Sequence, residues 1–300
     1  MKRKQIGTST MKTRFASSGL FCASLLLSAC TALPPATEEP DSLAAEVCEV
    51  TRQRLASAQP ETPATQALAT RIDTNCEQLG RAYAEALRDA ALAGGASSAP
   101  PLRSPQDPDD VVRRGERIRI VLWTNANTVE RFYSGETGST PSGKPVVWVS
   151  LAPELKQWCS SLDWNPSTPE RLAAGYQRIS QRLGLPPYSL NNRVVALWVK
   201  PDRLLRPCAD PGTEDDSCSS DFPASIDVPD LTREAYATWF ADNVGYAYSA
   251  GGAPWTRYGW TYDWANDTED APYGITEFML APDTDYEIAG RYKAEDYCTM

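Results

Sequence analysis

Arg117-Ile118-Arg119-Ile120-Val121-Leu122-Trp123-Thr124 begins by alternating charged with aliphatic side chains and ends as an apolar run. Period-two alternation marks a strand. The chain beyond Thr124 is rich in Trp and Tyr and holds short β-prone runs. Residues 128–133 give a second strand, and 135–145 (GETGSTPSGKP) a turn-rich loop leading into a β-prone run at 146–151. Helices are predicted at 153–158 and 169–183, the latter with Pro169 in its first turn and Gly184-Leu185-Pro186-Pro187 stopping it. Residues 194–199 form a further strong strand and 201–205 a helical turn. Over 231–243, Leu231, Ala235, Trp239 and Phe240 share one helical face. Residues 273–280 and 285–292 read as a terminal hairpin around 281–283. Strands interspersed with a few helices predict an α+β domain over 111–300, with a mixed or mostly antiparallel sheet.

Upstream, the pattern is helical. Residues 42–57 place Leu43, Val47 and Val50 on one face, and Pro60-Glu61-Thr62-Pro63 breaks the run. A longer helix is expected over 64–92, with Leu68, Ile72, Cys76, Leu79, Tyr83 and Leu87 in its apolar stripe. Cys48 and Cys76 are equidistant from Thr62 inside the turn. In an antiparallel hairpin such residues face each other, so a Cys48–Cys76 staple is expected across a hairpin over 41–93. The alternative is that each helix packs separately on the main domain. Residues 94–110 (GGASSAPPLRSPQDPDD) have the Gly, Ser and Pro composition of a linker.

The first thirty residues have another character. Lys2, Arg3, Lys4, Lys12 and Arg14 precede an apolar run over 15–29, which closes on Leu27-Ser28-Ala29-Cys30. A basic head, a short apolar body and small residues form a secretory signal peptide over 1–29, too short for a permanent span. Leu27-Ser28-Ala29-Cys30 resembles the lipobox of bacterial lipoprotein precursors. That resemblance implies cleavage before Cys30, acylation (palmitate) of its sulfur and new N-terminus, and a membrane partner reached through that lipid. Thr31 stands where aspartate would signal inner-membrane retention in that family, so the expected location is the cell envelope, at the outer membrane. Residues 30–40 are then a proline-rich, acidic tether, which prolines keep extended. Met11 is a second candidate start. Within the body, Leu185-Pro186-Pro187, residues 197–201, Arg206-Pro207-Cys208 and residues 254–264 are similar to a group of uncharacterised exported bacterial proteins, a resemblance that brings no activity.

Composition trims the functional classes. The chain has 300 residues and a formal charge of −10, with five basic residues in the leader, so the remainder carries about −15. Such a chain repels phosphate backbones, and no nucleic-acid partner is expected. There is no histidine, which removes imidazole-dependent triads and histidine-ligated metal sites. Six cysteines remain beyond Cys22 and Cys30, an even number that fits an oxidising compartment. Cys208 and Cys218 enclose a short acidic loop, which leaves Cys159 for Cys298 and Cys48 for Cys76.

The densest aromatic stretch is Pro254-Trp255-Thr256-Arg257-Tyr258-Gly259-Trp260-Thr261-Tyr262-Asp263-Trp264. If extended, it carries Thr256, Tyr258, Trp260, Tyr262 and Trp264 on one face and Trp255, Arg257, Thr261 and Asp263 on the other. One reading is a platform for sugar or peptide, with Trp255, Arg257, Trp260, Tyr262 and Trp264 as ligand contacts and Gly251-Gly252 as a mobile entrance loop. The other is a core strand with Arg257 and Asp263 as a structural pair. The candidate catalytic residues are Asp263 and Glu277, with Arg257 placing substrate, and the acids Asp267, Glu269 and Asp270 lie nearby. A glycosidase needs two carboxyls at a set separation, which sequence does not supply. Asp263, Asn266, Asp267, Glu269 and Asp270, like Asp210, Glu214, Asp215 and Asp216, offer calcium-type oxygens without the EF-hand register; no metal and no cofactor is expected. Residues 139–144 match neither a P-loop nor a Ser-x-x-Lys nucleophile.

The expected function is a membrane-anchored, non-catalytic envelope module that binds glycan, peptide or protein. The alternatives are a carboxylate-dependent hydrolase of cell-wall or external polysaccharide, and an inhibitor or assembly factor for an exported enzyme.

Overall fold

The protein is seen in a computed structural model that describes residues 40–92, 100–164, 168–265 and 272–300. The expected signal peptide, Cys30 and the expected tether up to residue 39 lie outside the described residues, as do Asn266, Asp267, Glu269 and Asp270.

Helix α1 spans Pro40–Ser57, α2 Pro63–Thr74 and α3 Cys76–Leu92. Thr62 starts α2. Its hydroxyl accepts from the Thr65 amide at 3.1 Å while its own amide donates to the Thr65 hydroxyl at 3.0 Å, with Pro63 in the first turn. The single helix expected over 64–92 is broken at Asn75. Its side-chain amide donates to the Arg71 carbonyl at 2.8 Å, and its own carbonyl accepts from the Leu79 amide at 2.9 Å. One asparagine thus ends α2 and opens α3, and the two helices part.

α3 lies along α1, bridged by Cys48–Cys76. The apolar faces of α1 and α3, with Val47, Tyr83 and Leu87, close over Tyr262 and Trp264. α2 turns its Ala64, Leu68 and Ile72 into a cluster with Leu172, Ala173, Tyr176 and Ile179 of helix α6 (Pro169–Arg182). The helical hairpin therefore shares its core with the sheet body, and the described residues form one compact unit.

That body is α+β, with an eight-stranded antiparallel sheet. Its strands are β1 (Arg113–Arg114), β2 (Arg117–Thr124), β3 (Thr137–Ser139), β4 (Val147–Leu151), β5 (Arg193–Val199), β6 (Leu204–Leu205), β9 (Phe278–Leu280) and β10 (Asp285–Lys293). The order is β3-β10-β5-β2-β4-β9-β6, with β1 also on β2. A separate ribbon pairs β7 (Trp260–Tyr262) with β8 (Tyr273–Thr276). β2 runs beside β5 from Ile118↔Val199 to Thr124↔Arg193. Ile118, Ile120 and Leu122 face one cluster with Val195, Leu197 and Phe278. Val121 and Trp123 face the other, against α2, α6, α5 (Ala152–Cys159) and α8 (Ala294–Thr299). Burial on both faces explains why the alternation of β2 gives way to continuous apolar residues.

Three expectations are corrected. Residues 128–133 are not a strand, because Asn125 caps a helix α4 (Ala126–Phe132) by accepting from the Thr128 amide at 2.9 Å. The helix expected over 231–243 is α7 (Arg233–Ala247), capped by Thr232 and running further. The terminal hairpin does not form. β8 pairs β7, β9 lies between β4 and β6, and β10 lies between β5 and β3. The turn between β9 and β10 is tied sideways instead. The Thr140 hydroxyl donates to the Ala281 carbonyl at 2.7 Å and accepts from the Thr284 amide at 2.8 Å.

The three disulfides are Cys48–Cys76, Cys159–Cys298 and Cys208–Cys218. Cys159–Cys298 joins α5 to α8 inside the core. Residues 100–110 lie against the body, with the Leu102 amide donating to the Asp216 carbonyl at 2.9 Å.

Candidate functional site

The aromatic stretch at 254–264 is not an open platform. Arg257 and Gly259 have left-handed backbones, at φ 62° and 78°, and only Trp260–Tyr262 are strand, so the expected two-face alternation fails. Trp255, Trp260, Tyr262 and Trp264 are buried. The polar ends of Trp255, Tyr262 and Trp264 are spent internally. Trp255 Nε1 donates to the Pro207 carbonyl at 3.0 Å, Trp264 Nε1 to the Leu185 carbonyl at 2.9 Å, and the Tyr262 hydroxyl to Asp89 at 2.7 Å. Arg257 donates to the Ala91 carbonyl at 2.9 Å and lies over the Tyr248 ring.

Asp263 is equally committed. It is 6 % exposed and ion-paired to Arg178 and Arg182 rather than to Arg257. The acidic loop between Cys208 and Cys218 wraps Arg206, which is fully buried and donates to the carbonyls of Arg103 and Asp215. Burial lowers the Arg206 pKa to about 10, against the opposing pull of Asp215, Asp216 and Glu214. No cluster of metal-ligating side chains occurs among the described residues.

Glu277 is different. It sits between β8 and β9, with its amide donating to the Gly259 carbonyl at 2.8 Å. That junction turns its side chain to the floor of a cleft of about 330 Å³, which a recess of about 70 Å³ extends past the same carboxyl. Leu183, Leu185, Thr261 and Trp148 line both parts. Tyr188, Tyr246, Trp255 and the 251–254 loop complete the larger one. Among the described residues the Glu277 carboxyl has no hydrogen-bond or ion-pair partner. Some of its surface stays open to the cleft, yet protein surrounds it deeply enough that desolvation alone pushes its pKa up to about 8.

The loop at the cleft is pinned. The Gly251 carbonyl accepts from the hydroxyls of Tyr246 at 2.7 Å and Tyr188 at 3.1 Å, and the Gly252 carbonyl from Tyr83 at 2.8 Å. Gly251-Gly252 is thus a fastened rim rather than the free entrance expected of two glycines. Gly184, at φ 68°, closes the wall where an added Cβ would stand 3.2 Å from the Tyr262 carbonyl.

A second cavity, of about 700 Å³, holds Glu154. One Glu154 oxygen accepts from the Thr276 amide at 3.0 Å and its hydroxyl at 3.3 Å, and the other is buried without a partner. Desolvation raises its pKa to about 7, opposed by Thr276 and Arg103. Arg103, Arg182, Trp158 and Trp260 line this cavity. Glu154 and Glu277 are in separate cavities, and no second carboxyl of the described residues lines the Glu277 cleft.

Of the sequence candidates, then, Glu277, Trp255 and Tyr262 reach one cleft, Trp260 reaches the other cavity, and Arg257, Asp263 and Trp264 reach neither. Sequence reasoning missed Trp148, Tyr188, Tyr246 and Glu154. Trp148 carried a weak signal, being a large aromatic between valines in the β-prone run at 146–151, whereas Glu154 looks like any first-turn helix acid. No protein-family model, no curated protein and no solved structure matches the chain.

Proposed function

We propose that this protein is a lipid-anchored binding protein of the bacterial envelope, held at the outer membrane through Cys30 and taking a small amphipathic or peptide ligand into the Glu277 cleft. The anchor rests on Leu27-Ser28-Ala29-Cys30 behind a basic, then apolar, leader, and the three disulfides suit an oxidising compartment. The observation that carries the binding reading is a preformed, aromatic-walled cleft with one unsatisfied carboxyl at its floor. The lining argues for peptide over glycan. A sugar needs many free hydrogen-bonding groups, whereas the hydroxyls of Tyr188, Tyr246 and Thr261 already donate to backbone carbonyls. Hydrolysis is the weaker reading for this cleft, because two-carboxylate chemistry needs both acids at one bond and no second carboxyl of the described residues lines it, whereas in the 700 Å³ cavity Asp107, Asp110 and Asp216 stand with Glu154.

Trp148 and Trp255 make binding visible by fluorescence. With the mature lipoprotein in detergent, short peptides are expected to shift tryptophan emission while chitooligosaccharides do not, and calorimetry is expected to show peptide binding lost in Trp148→Ala while the protein stays folded. An unaltered response in Trp148→Ala would remove the cleft as the binding site. Loss of palmitate labelling in Cys30→Ser tests the anchor separately.

A further inference from the structure

We infer that the ligand group received at the floor of this cleft is an organic ammonium ion, a primary amine carried on an apolar scaffold, with Glu277 as its counter-ion and the Trp148, Tyr188 and Tyr246 side chains lining its path. The inference rests on the cleft being a binding site and goes further by naming what it takes.

Three features of the cleft converge on a cation. First, Glu277 is the only carboxyl of the described residues in either part of the cleft, and no Lys or Arg lines it. A carboxylate there lacks an internal counter-charge, so the complementary guest brings a positive charge and N–H donors together. Second, the walls are aromatic. Trp148 and Trp255 meet edge to face at 6.2 Å, and Tyr188 and Tyr246 stand at the rim, where the Arg54 guanidinium already lies over the Tyr188 ring at 5.8 Å and leaves Trp148 and Tyr246 as the rings open to a guest. Aromatic faces attract ammonium groups and offer little to anions. Third, the chain carries a net charge of −10, a field that draws cations and repels anions.

The other titratable groups along the cleft do not compete. The hydroxyls of Tyr188 and Tyr246 donate to the Gly251 carbonyl, and that of Tyr262 to Asp89. Near neutral pH the empty cleft holds Glu277 protonated, because burial keeps its pKa at about 8. Amine binding leaves the ammonium intact and releases the Glu277 proton to buffer, so one proton departs per amine bound.

The test uses the full mature chain and four probes: benzylamine, benzyl alcohol, the tripeptide acetyl-Ala-Lys-Ala-amide, and the same tripeptide acetylated on the lysine nitrogen. Calorimetry in two buffers of different ionisation heat reads affinity and proton release together. The expected result is that at least one amine binds about tenfold or more tighter than its uncharged counterpart, releases close to one proton near pH 7, and loses that advantage in Glu277→Gln. Tighter benzylamine points to a free amine, and a tighter tripeptide to a lysine side chain. Carbon NMR of the Glu277 carboxyl gives a readout that needs no variant, since its titration moves to lower pH with amine present. Equal binding of charged and uncharged probes would overturn the ammonium assignment and leave the cleft as a binding site. Binding of none of the four, with no change in tryptophan emission, would overturn both.

Discussion

Arg178 grips both carboxylate oxygens of Asp263, with N–O distances of 2.9 and 2.8 Å, and Arg182 adds a third bond at 3.0 Å. Both arginines also lie over the Trp158 ring. This clamp ties α6 to the chain just past β7. Removing the acid leaves two partly buried guanidinium groups facing each other without their counter-ion. Asp263→Ala is therefore expected to destabilise the fold by about 3 kcal/mol, read as a fall in the urea midpoint. It leaves the Glu277 cleft's ligand response intact, since Asp263 does not line that cleft. Loss of ligand binding at unchanged stability would return Asp263 to the site.

Glu277 makes stability depend on pH with a definite sign. Its folded pKa, about 8, stands above the ordinary carboxylate value of 4.5. The folded state therefore holds a proton that the unfolded chain has lost, and stability falls as pH rises between those values and levels off above about 8. A shift of this size corresponds to a contribution on the order of 3 kcal/mol after allowing for the surface open to the cleft. Thermal melts at pH 5, 7 and 9 are expected to fall for the parent protein, and in Glu277→Gln to fall less between pH 5 and 7 and to stay flat between pH 7 and 9. Glu154, raised to about 7, adds a fall of the same sign that ends near pH 7. A Glu277→Gln profile parallel to the parent's would show that this carboxyl is ionised in the folded state.

Gly80 sets how closely α1 and α3 approach. A Cβ there would meet the Ala44 carbonyl oxygen at 2.6 Å, and Cys48 lies beside it. Backbone cannot yield as a side chain can, so Gly80→Ala is expected to cost about 2 kcal/mol despite alanine's higher helix propensity. The parent and variant should separate in denaturant melts with Cys48–Cys76 intact. A more stable Gly80→Ala would mean the helices part without penalty.

The disulfides are expected to differ by loop length. Cys159 and Cys298 are 139 residues apart and Cys208 and Cys218 only 10. On chain entropy alone the losses approach about 5 and about 3 kcal/mol. The Cys159→Ala/Cys298→Ala double variant should melt well below Cys208→Ala/Cys218→Ala. The latter should chiefly free the loop around Arg206, seen as faster amide exchange at residues 208–218. The reverse order of melting temperatures would place the tighter constraint in the short loop.

Much of the fold was legible. The β2 pattern, the Pro169 start of α6 and the Thr62-Pro63 break are local signals, and the structure contains each of those elements. The symmetric placement of Cys48 and Cys76 about Thr62 specified their pairing once an antiparallel hairpin was assumed. The errors arose where a single polar residue overrode a longer pattern. Asn125 turned β-prone residues into a helix, and Asn75 split an unbroken apolar stripe. Thr140, far away in sequence, held the β9–β10 turn so that the flanking strands found other partners. The site was legible only in part. Glu277 was a candidate among many acids, and nothing local distinguishes it from Asp263, which two arginines neutralise.

The sequence by itself determined the basic, then apolar, start that closes on Leu27-Ser28-Ala29-Cys30, the negative charge, the lack of histidine, the α+β class and the Cys48–Cys76 pairing. These are matters of composition, short-range periodicity and motif, which need no partner from elsewhere in the chain. Tertiary structure alone decided that the aromatic stretch is core, that Asp263 is clamped, and that Glu277 stands at the floor of a cleft with no partner among the described residues. Burial and counter-ions are supplied by residues tens to hundreds of positions away, and they decide whether a carboxyl is neutralised, solvated or left free to receive a ligand.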